Sequence, residues 1–234
     1  MYSKAEPRLA RKVAGHTKEA VWRTFGLIGI LLAVFVVQWI VGLDESILRA
    51  GLVKPLVRDG DVWRLLTAAL MHGSIKHLLA NATGILLFGL FIELYGGQWL
   101  ILPLFVLSAL GGNLTSLYLN PHPSLGASGG VMGFLGFLLV MRLRRKELLP
   151  DGFGADLAKA IIPTAIVGAV AWSHIDNAAH LGGFLVGAAV GAVIFLPDQD
   201  TLPPPRPARG RTLDRGGQFL LTLFAIWTIV ALMK

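Results

Sequence analysis

Cysteine is missing from all 234 residues. That excludes a disulfide framework, a thiolate metal site and a cysteine nucleophile. Charge is scarce as well: Asp, Glu, Lys and Arg make up 15% of the chain, against about 25% in soluble domains. Hydrophobic residues make up 54%, and mean hydropathy is +0.66. Such a composition excludes a disordered chain and argues against an ordinary soluble domain. No histidine is followed by glutamate, so a His-Glu-x-x-His metal site is absent. Apart from Asp176, no aspartate lies well inside an apolar run, which disfavours a paired-aspartate site.

The charge that is present is basic, with a formal net charge of +7 and a pI near 10.1. The basic residues sit between long apolar runs, not on one face of a polar domain, which argues against a nucleic-acid partner. A transmembrane helix needs about 20 apolar residues. Seven runs come near that length: Phe25–Gly42, His77–Leu94, Trp99–Leu119, Ser128–Met141, Leu157–Trp172, Asn177–Leu196 and Phe219–Met233. The expected fold is therefore all-α, a polytopic transmembrane bundle in a lipid bilayer. The long basic segment before the first run and the lack of a small-residue cleavage site predict that the first span is retained.

Lys4, Arg8, Arg11, Lys12, Lys18 and Arg23 precede the first run. Arg142, Arg144, Arg145 and Lys146 follow the fourth, and Arg206, Arg209, Arg211 and Arg215 lie between the sixth and seventh. Alternating crossings place all three groups on one side, which the positive-inside rule assigns to the cytoplasm. Loops 119–127 and 173–176 carry no Lys or Arg; loop 43–76 is the exception. The Pro203-Pro204-Pro205 and Pro207 cluster reads as a semi-rigid linker. The expected organisation is a basic cytoplasmic segment at 1–24, a six-helix core at 25–196, a linker at 197–218 and a seventh helix at 219–234. The expected location is a cell membrane, the inner one in a Gram-negative cell.

Polar residues within spans are costly and usually functional. Here they gather in the first turns of spans two, four and six, which run in the same direction by parity. Span two starts with His77 and Asn81, span four with Ser128, and span six with Asp176, Asn177 and His180. Span four is short for a bilayer and is pinned at its basic end, so Ser128 should lie below the outer surface. The loop 120–127 must then dip inward, where irregular backbone survives only if protein covers it or it lines a wet cavity.

Gly129, Gly133 and Gly136 form a face on span four; Gly183, Gly187 and Gly191 form another on span six. Small residues at this spacing let helix backbones approach closely. Packing these faces predicts Ser128 beside His180. A neutral imidazole there could take the serine proton and return it to a leaving amine. Each residue also has a plainer reading. Ser128 alone reads as a helix cap and His180 as a bonded interior histidine. His77 and Asn81, four apart on one face, read as polar glue or as donors to an oxyanion. Asp176 reads better as the N-cap of span six than as a third catalytic residue. His72 could line the cavity mouth. Trp63-Arg64 reads as an interface anchor. Glu93, far from the serine, is expected to bind helix ends or a neighbouring loop.

Taken in order, three segments resemble the rhomboid family of intramembrane serine proteases. They are His72-Gly73-Ser74-Ile75-Lys76-His77-Leu78-Leu79-Ala80-Asn81, Gly126-Ala127-Ser128-Gly129, and Ala179-His180-Leu181-Gly182-Gly183 with Gly187. Trp63-Arg64 and the segment from Glu93 to Gly97 are also family-like. The resemblance implies a dyad of Ser128 as nucleophile and His180 as base. It implies that His77 and Asn81 join the Ser128 backbone N–H in an oxyanion hole. It further implies membrane-protein substrates with transmembrane helices, six plus one helices, and no metal, ATP or other cofactor. One departure is Met132, four residues after the serine, where many members carry Tyr or Phe against the histidine. A thioether can pack there, so altered ring positioning is expected, not inactivity. The rival readings are a catalytically silent rhomboid-like protein that binds transmembrane helices, and a transporter with a His and Asn path.

Overall fold

A computed structural model describes residues 21–159, 162, 175–195 and 208–234. The fifth expected span, Leu157–Trp172, lies mostly outside the described residues, as do most of segment 1–24 and the proline cluster.

The helices that frame the bundle are α1 (Trp22–Val41), α2 (Leu43–Ala50), α3 (Lys54–Arg58), α4 (Arg64–Thr67), α5 (Ile75–Phe91), α6 (Ile101–Leu119), α7 (Ser128–Arg144), α8 (Asn177–Ile194) and α9 (Ala208–Met233). No strand occurs among the described residues, and extended pairing is confined to one bridge, Leu52 with Ser124. Among the described residues, four stretches are long and apolar enough to cross a bilayer: Trp22–Val41, Ile75–Leu119, Asn177–Ile194 and Thr212–Met233. The second holds both α5 and α6, joined by a π-helical turn at Ile92–Gly97 and a 3-10 turn at Gln98–Leu100.

The polar stretch 43–76 is more than a loop. It folds into α2, α3, α4 and a 3-10 turn at Ala68–Leu70. The helix α9 begins at Ala208, not Phe219, so the end of the expected linker is helical.

Glycine contacts fix the helix directions. A Cβ on Gly183 would stand 2.0 Å from the Gly129 carbonyl oxygen, and one on Gly187 would stand 1.9 Å from that of Gly133. Both numbers rise together along α7 and α8, so these helices run parallel. A Cβ on Gly126 would meet His77, one on Gly84 would meet Val131, and one on Gly96 would meet Phe137. The helix α5 is therefore parallel to α7 as well. The intervening helix α6 is antiparallel: Gly112 abuts Gly129 whereas Ser108 abuts Gly133, and Thr115 abuts Gly182 whereas Gly111 abuts Val186. The expected shared starting end of spans two, four and six is thus observed.

At the opposite end, Glu93 accepts from the backbone N–H groups of Arg23 (3.3 Å) and Thr24 (3.2 Å) and from the Thr24 hydroxyl (2.6 Å). It stabilises the orphan donors at the head of α1, as expected for a residue that binds a helix end. Arg23 also pairs with Asp214 of α9 and donates to Gln98. This buried cluster ties α1, the α5–α6 turn and α9 together.

Candidate active site

Three helix heads converge on one cleft, and they are not equivalent. Ser74 caps α5, its hydroxyl accepting from the His77 N–H at 3.1 Å. Asp176 caps α8, its Oδ1 accepting from the Ala179 N–H at 3.0 Å. The head of α7 has no side-chain cap; its cap position is Ala127. The first backbone bond of α7 runs from the Val131 N–H to the Ala127 carbonyl, so the N–H groups of Ser128, Gly129 and Gly130 precede it. Ser128 opens this uncapped helix and does not serve as its cap. Asp176 is the N-cap that the sequence predicts.

The chain reaches Ser128 through a turn at Gly126 with φ +130°, a conformation that favours glycine. A side chain there would also strike His77, 2.6 Å from its Cε1. The end of loop 120–127, from Ser124 on, packs under the folded first loop, whereas Pro121, His122 and Pro123 are exposed beside the cleft. Leu52 and Ser124 exchange backbone bonds of 2.9 and 3.2 Å, and the Gly126 N–H donates to the Ala68 carbonyl at 2.9 Å. Residues 50–70 thus cover the part of the loop next to Ser128, and the rest of it lines the cleft. The helix α7 has 17 residues, so it is roughly 25 Å long. That exceeds the expected run to Met141 but remains short of a hydrocarbon core of about 30 Å. Its basic end is anchored by Arg144, which donates to the Ala192 carbonyl at 2.7 Å.

The cleft has a volume of about 1050 Å³, and Ser128, His180, His77 and Asn81 all line it. Asn81 is 6% exposed, and its Nδ2 has no hydrogen-bond partner among the described residues. Buried amide donors are rarely left unpaired; one that borders a cleft is available to an incoming acceptor. Met132 lies partly buried against the hydrophobic core.

Two expectations are corrected. His72 does not line the cavity mouth. It is 0% exposed and lies behind His77, with ring centroids 5.1 Å apart. Gln38 of α1 draws it inward by donating to its carbonyl (3.3 Å) and accepting from its N–H (2.9 Å). Arg64 is no exposed anchor either. It is 5% exposed, and it bonds the Gly51 carbonyl at 3.0 Å and Asp61 at 2.9 Å. Its guanidinium lies 4.6 Å from the Trp63 ring centre, and Trp63 packs edge-on against Trp227 of α9. The pair braces the first loop.

Composition alone gave no hint of a buried polar chain beside the cleft. It contains the buried Lys54, Ser116 and Ser124 and the half-buried Asp176. In the sequence Lys54 is one more basic residue in an exceptional loop, and only its distant partners reveal it.

A helical bundle with its polar groups at three parallel helix heads defines a class of multi-pass membrane protein. The family model for the Rhomboid domain matches residues 59–197, and the chain belongs to the rhomboid family. It is 33% identical over 142 residues to Rhomboid protease GluP of Bacillus subtilis, a match covering 61% of this chain and 28% of that protein. It is 32% identical over 152 residues to RHOMBOID-like protein 5 of Arabidopsis thaliana, covering 64% and 49%. It is 34% identical over 139 residues to Putative rhomboid protease YdcA of Bacillus subtilis, covering 56% and 68%. The chain therefore spans less than half the length of the first two of these relatives. Family membership makes it an intramembrane protease or a rhomboid-like protein.

Proposed function

We propose that the protein is a serine endopeptidase that cleaves membrane-protein substrates in or near a transmembrane helix. The observation that carries this reading is the uncapped head of α7. Ser128 stands there, in one cleft with His180 and with the Asn81 Nδ2, which has no partner among the described residues.

In the proposed reaction, an unwound stretch of the substrate helix lies in the cleft. The Ser128 Oγ attacks the peptide carbonyl carbon while its proton passes to His180. The new oxyanion accepts from the backbone N–H of Ser128 and from the side chains of Asn81 and His77. Preorganised donors of this kind are typically worth several kcal/mol of barrier. The C–N bond then breaks and His180 gives its proton to the leaving amine. Water attacks the acyl-enzyme, its proton goes to His180, and Ser128 regains a proton as the acid product leaves. Small or helix-breaking residues in the substrate should favour cleavage, because a helical peptide bond is shielded by its own hydrogen bonding.

The orientation that suits this chemistry has the cleft opening to the outer side and the N-terminus in the cytoplasm, as the basic segments indicate. The test uses purified full chain and a tagged single-span substrate. Cleavage by the wild type and its loss in Ser128→Ala and His180→Ala are expected. Equal cleavage by all three would sink the dyad. A folded wild type that binds the substrate without cutting it would favour a silent helix-binding protein.

A further inference from the structure

Lys54 is 2% exposed, a burial that an ammonium resists unless it is paired. It lies on α3, in the first loop, outside the spans. Its Nζ donates to the Ser124 Oγ at 2.6 Å and to the His122 carbonyl. Ser124 uses its one proton on the Asp176 Oδ2 at 2.6 Å. Ser116 of α6 donates to that same oxygen. The other Asp176 oxygen caps α8. Three parts of the chain therefore meet at one carboxylate, the loop before α7, α6 and the head of α8, and the first loop joins them through Ser124.

The placement of this chain of bonds is informative. Ser124 lies four residues before Ser128, and Asp176 lies four residues before His180. Each half of the proposed dyad is thus one short step from the same network. Capping does not require the lysine. Asp176 already has a backbone donor and two hydroxyl donors, and a neutral side chain at 54 would leave the cap intact. An ammonium adds charge-assisted bonds, which are shorter and about twice as strong as neutral ones. A Ser124–Lys54 pair is also a poor nucleophile and base, because the Ser124 proton is committed to Asp176 and Lys54 is the donor in the bond they share.

We propose that Lys54 is a positioning residue, which acts through Ser124 and Asp176 to hold the serine-bearing loop and the histidine-bearing helix in reactive register. The inference rests on the protease reading above. The group of opposite charge facing Lys54 is Asp176. Arg58, on the same short helix, donates to the Leu117 carbonyl, and the His122 side chain lines the cleft. Burial pushes the Lys54 ammonium down to about 8 despite the nearby carboxylate. The lock should therefore open as pH rises through that value.

The test compares wild type, Lys54→Met and Ser124→Ala as full chains in detergent, from pH 6 to 10. Readouts are the labelling rate with a fluorophosphonate, kcat and KM on a single-span substrate, and thermal unfolding. Expected for both variants is a fall of roughly tenfold or more in labelling rate and kcat, as for a small misplacement of reacting groups. KM should change little. The wild-type rate should fall above about pH 8, and the Lys54→Met rate should lack that limb. A reactive wild type beside an equally fast Lys54→Met would overturn the inference alone. So would an alkaline limb unchanged by Lys54→Met, or a loss of rate that follows the loss of folded protein. A folded wild type that neither labels nor cleaves would contradict the protease reading itself, and this inference with it.

Discussion

Replacing Gly187 with alanine would drive a methyl group into the backbone of α7. The added Cβ would lie 1.9 Å from the Gly133 carbonyl oxygen and 2.6 Å from the Gly133 Cα. Backbone cannot swing aside as a flexible side chain can. Carbon contacts are comfortable at about 3.5–4.0 Å, so α7 and α8 must part by roughly 1 Å or more. Overpacking of this kind costs typically 1–3 kcal/mol, occasionally more. Because the two helices run parallel with Ser128 and His180 near their heads, the same separation widens the gap between nucleophile and base. A misplacement of about 1 Å can cost roughly 100-fold in rate. The assay is cleavage of a single-span substrate together with thermal unfolding of purified protein. Gly29→Ala on α1 is the control, since a Cβ there meets nothing within 4 Å. A Gly187→Ala protein with wild-type melting and wild-type cleavage would refute the claim that this seam sets the register of the site.

Other perturbations separate chemistry from support. Asn81→Ala should lower kcat by roughly 100- to 1000-fold with little change in melting, because its Nδ2 has no hydrogen-bond partner to lose among the described residues; kinetics beside a melting curve check this. Glu93→Gln should cost about 1–3 kcal/mol, because it weakens the acceptors at the head of α1. At temperatures where that variant is folded, fluorophosphonate labelling should stay at the wild-type rate, since Glu93 and the cleft are at opposite ends of α5. Arg64→Ala strips donors from the Gly51 carbonyl and Asp61, and should lower stability by about 1–3 kcal/mol; denaturant titration would measure it. For Lys54, the folded value near 8 lies below the ordinary 10.5. Between those values the unfolded chain holds the proton and the folded chain does not, so folding stability should rise with pH. Over the same window activity should fall, and melting and turnover measured together would reveal the opposite trends.

The sequence made the membrane bundle legible because long apolar runs and basic clusters are local signals. Parity and the glycine faces carried the reading further, to three parallel helix heads, and the contacts of Gly84, Gly126, Gly183 and Gly187 bear that out. Asp176 was readable as a cap because capping depends on the next few residues. Features set by distant partners were not readable. The helices of stretch 43–76 are too short to show a clear period, so the stretch passes for a loop. Burial of Arg64 depends on the Gly51 carbonyl, and burial of His72 on Gln38. The early start of α9 goes with Asp214, which pairs with Arg23 from the other end of the chain. Lys54 stands out from the other basic residues of its loop only through Ser124 and Asp176, which are far from it in sequence.

The most direct measurement is to locate the adduct after full-length protein reacts with a fluorophosphonate. The account predicts one modified residue, Ser128, formed in the wild type and strongly slowed in His180→Ala with the fold intact. Modification at Ser124 or elsewhere, or a rate indifferent to His180, would contradict it.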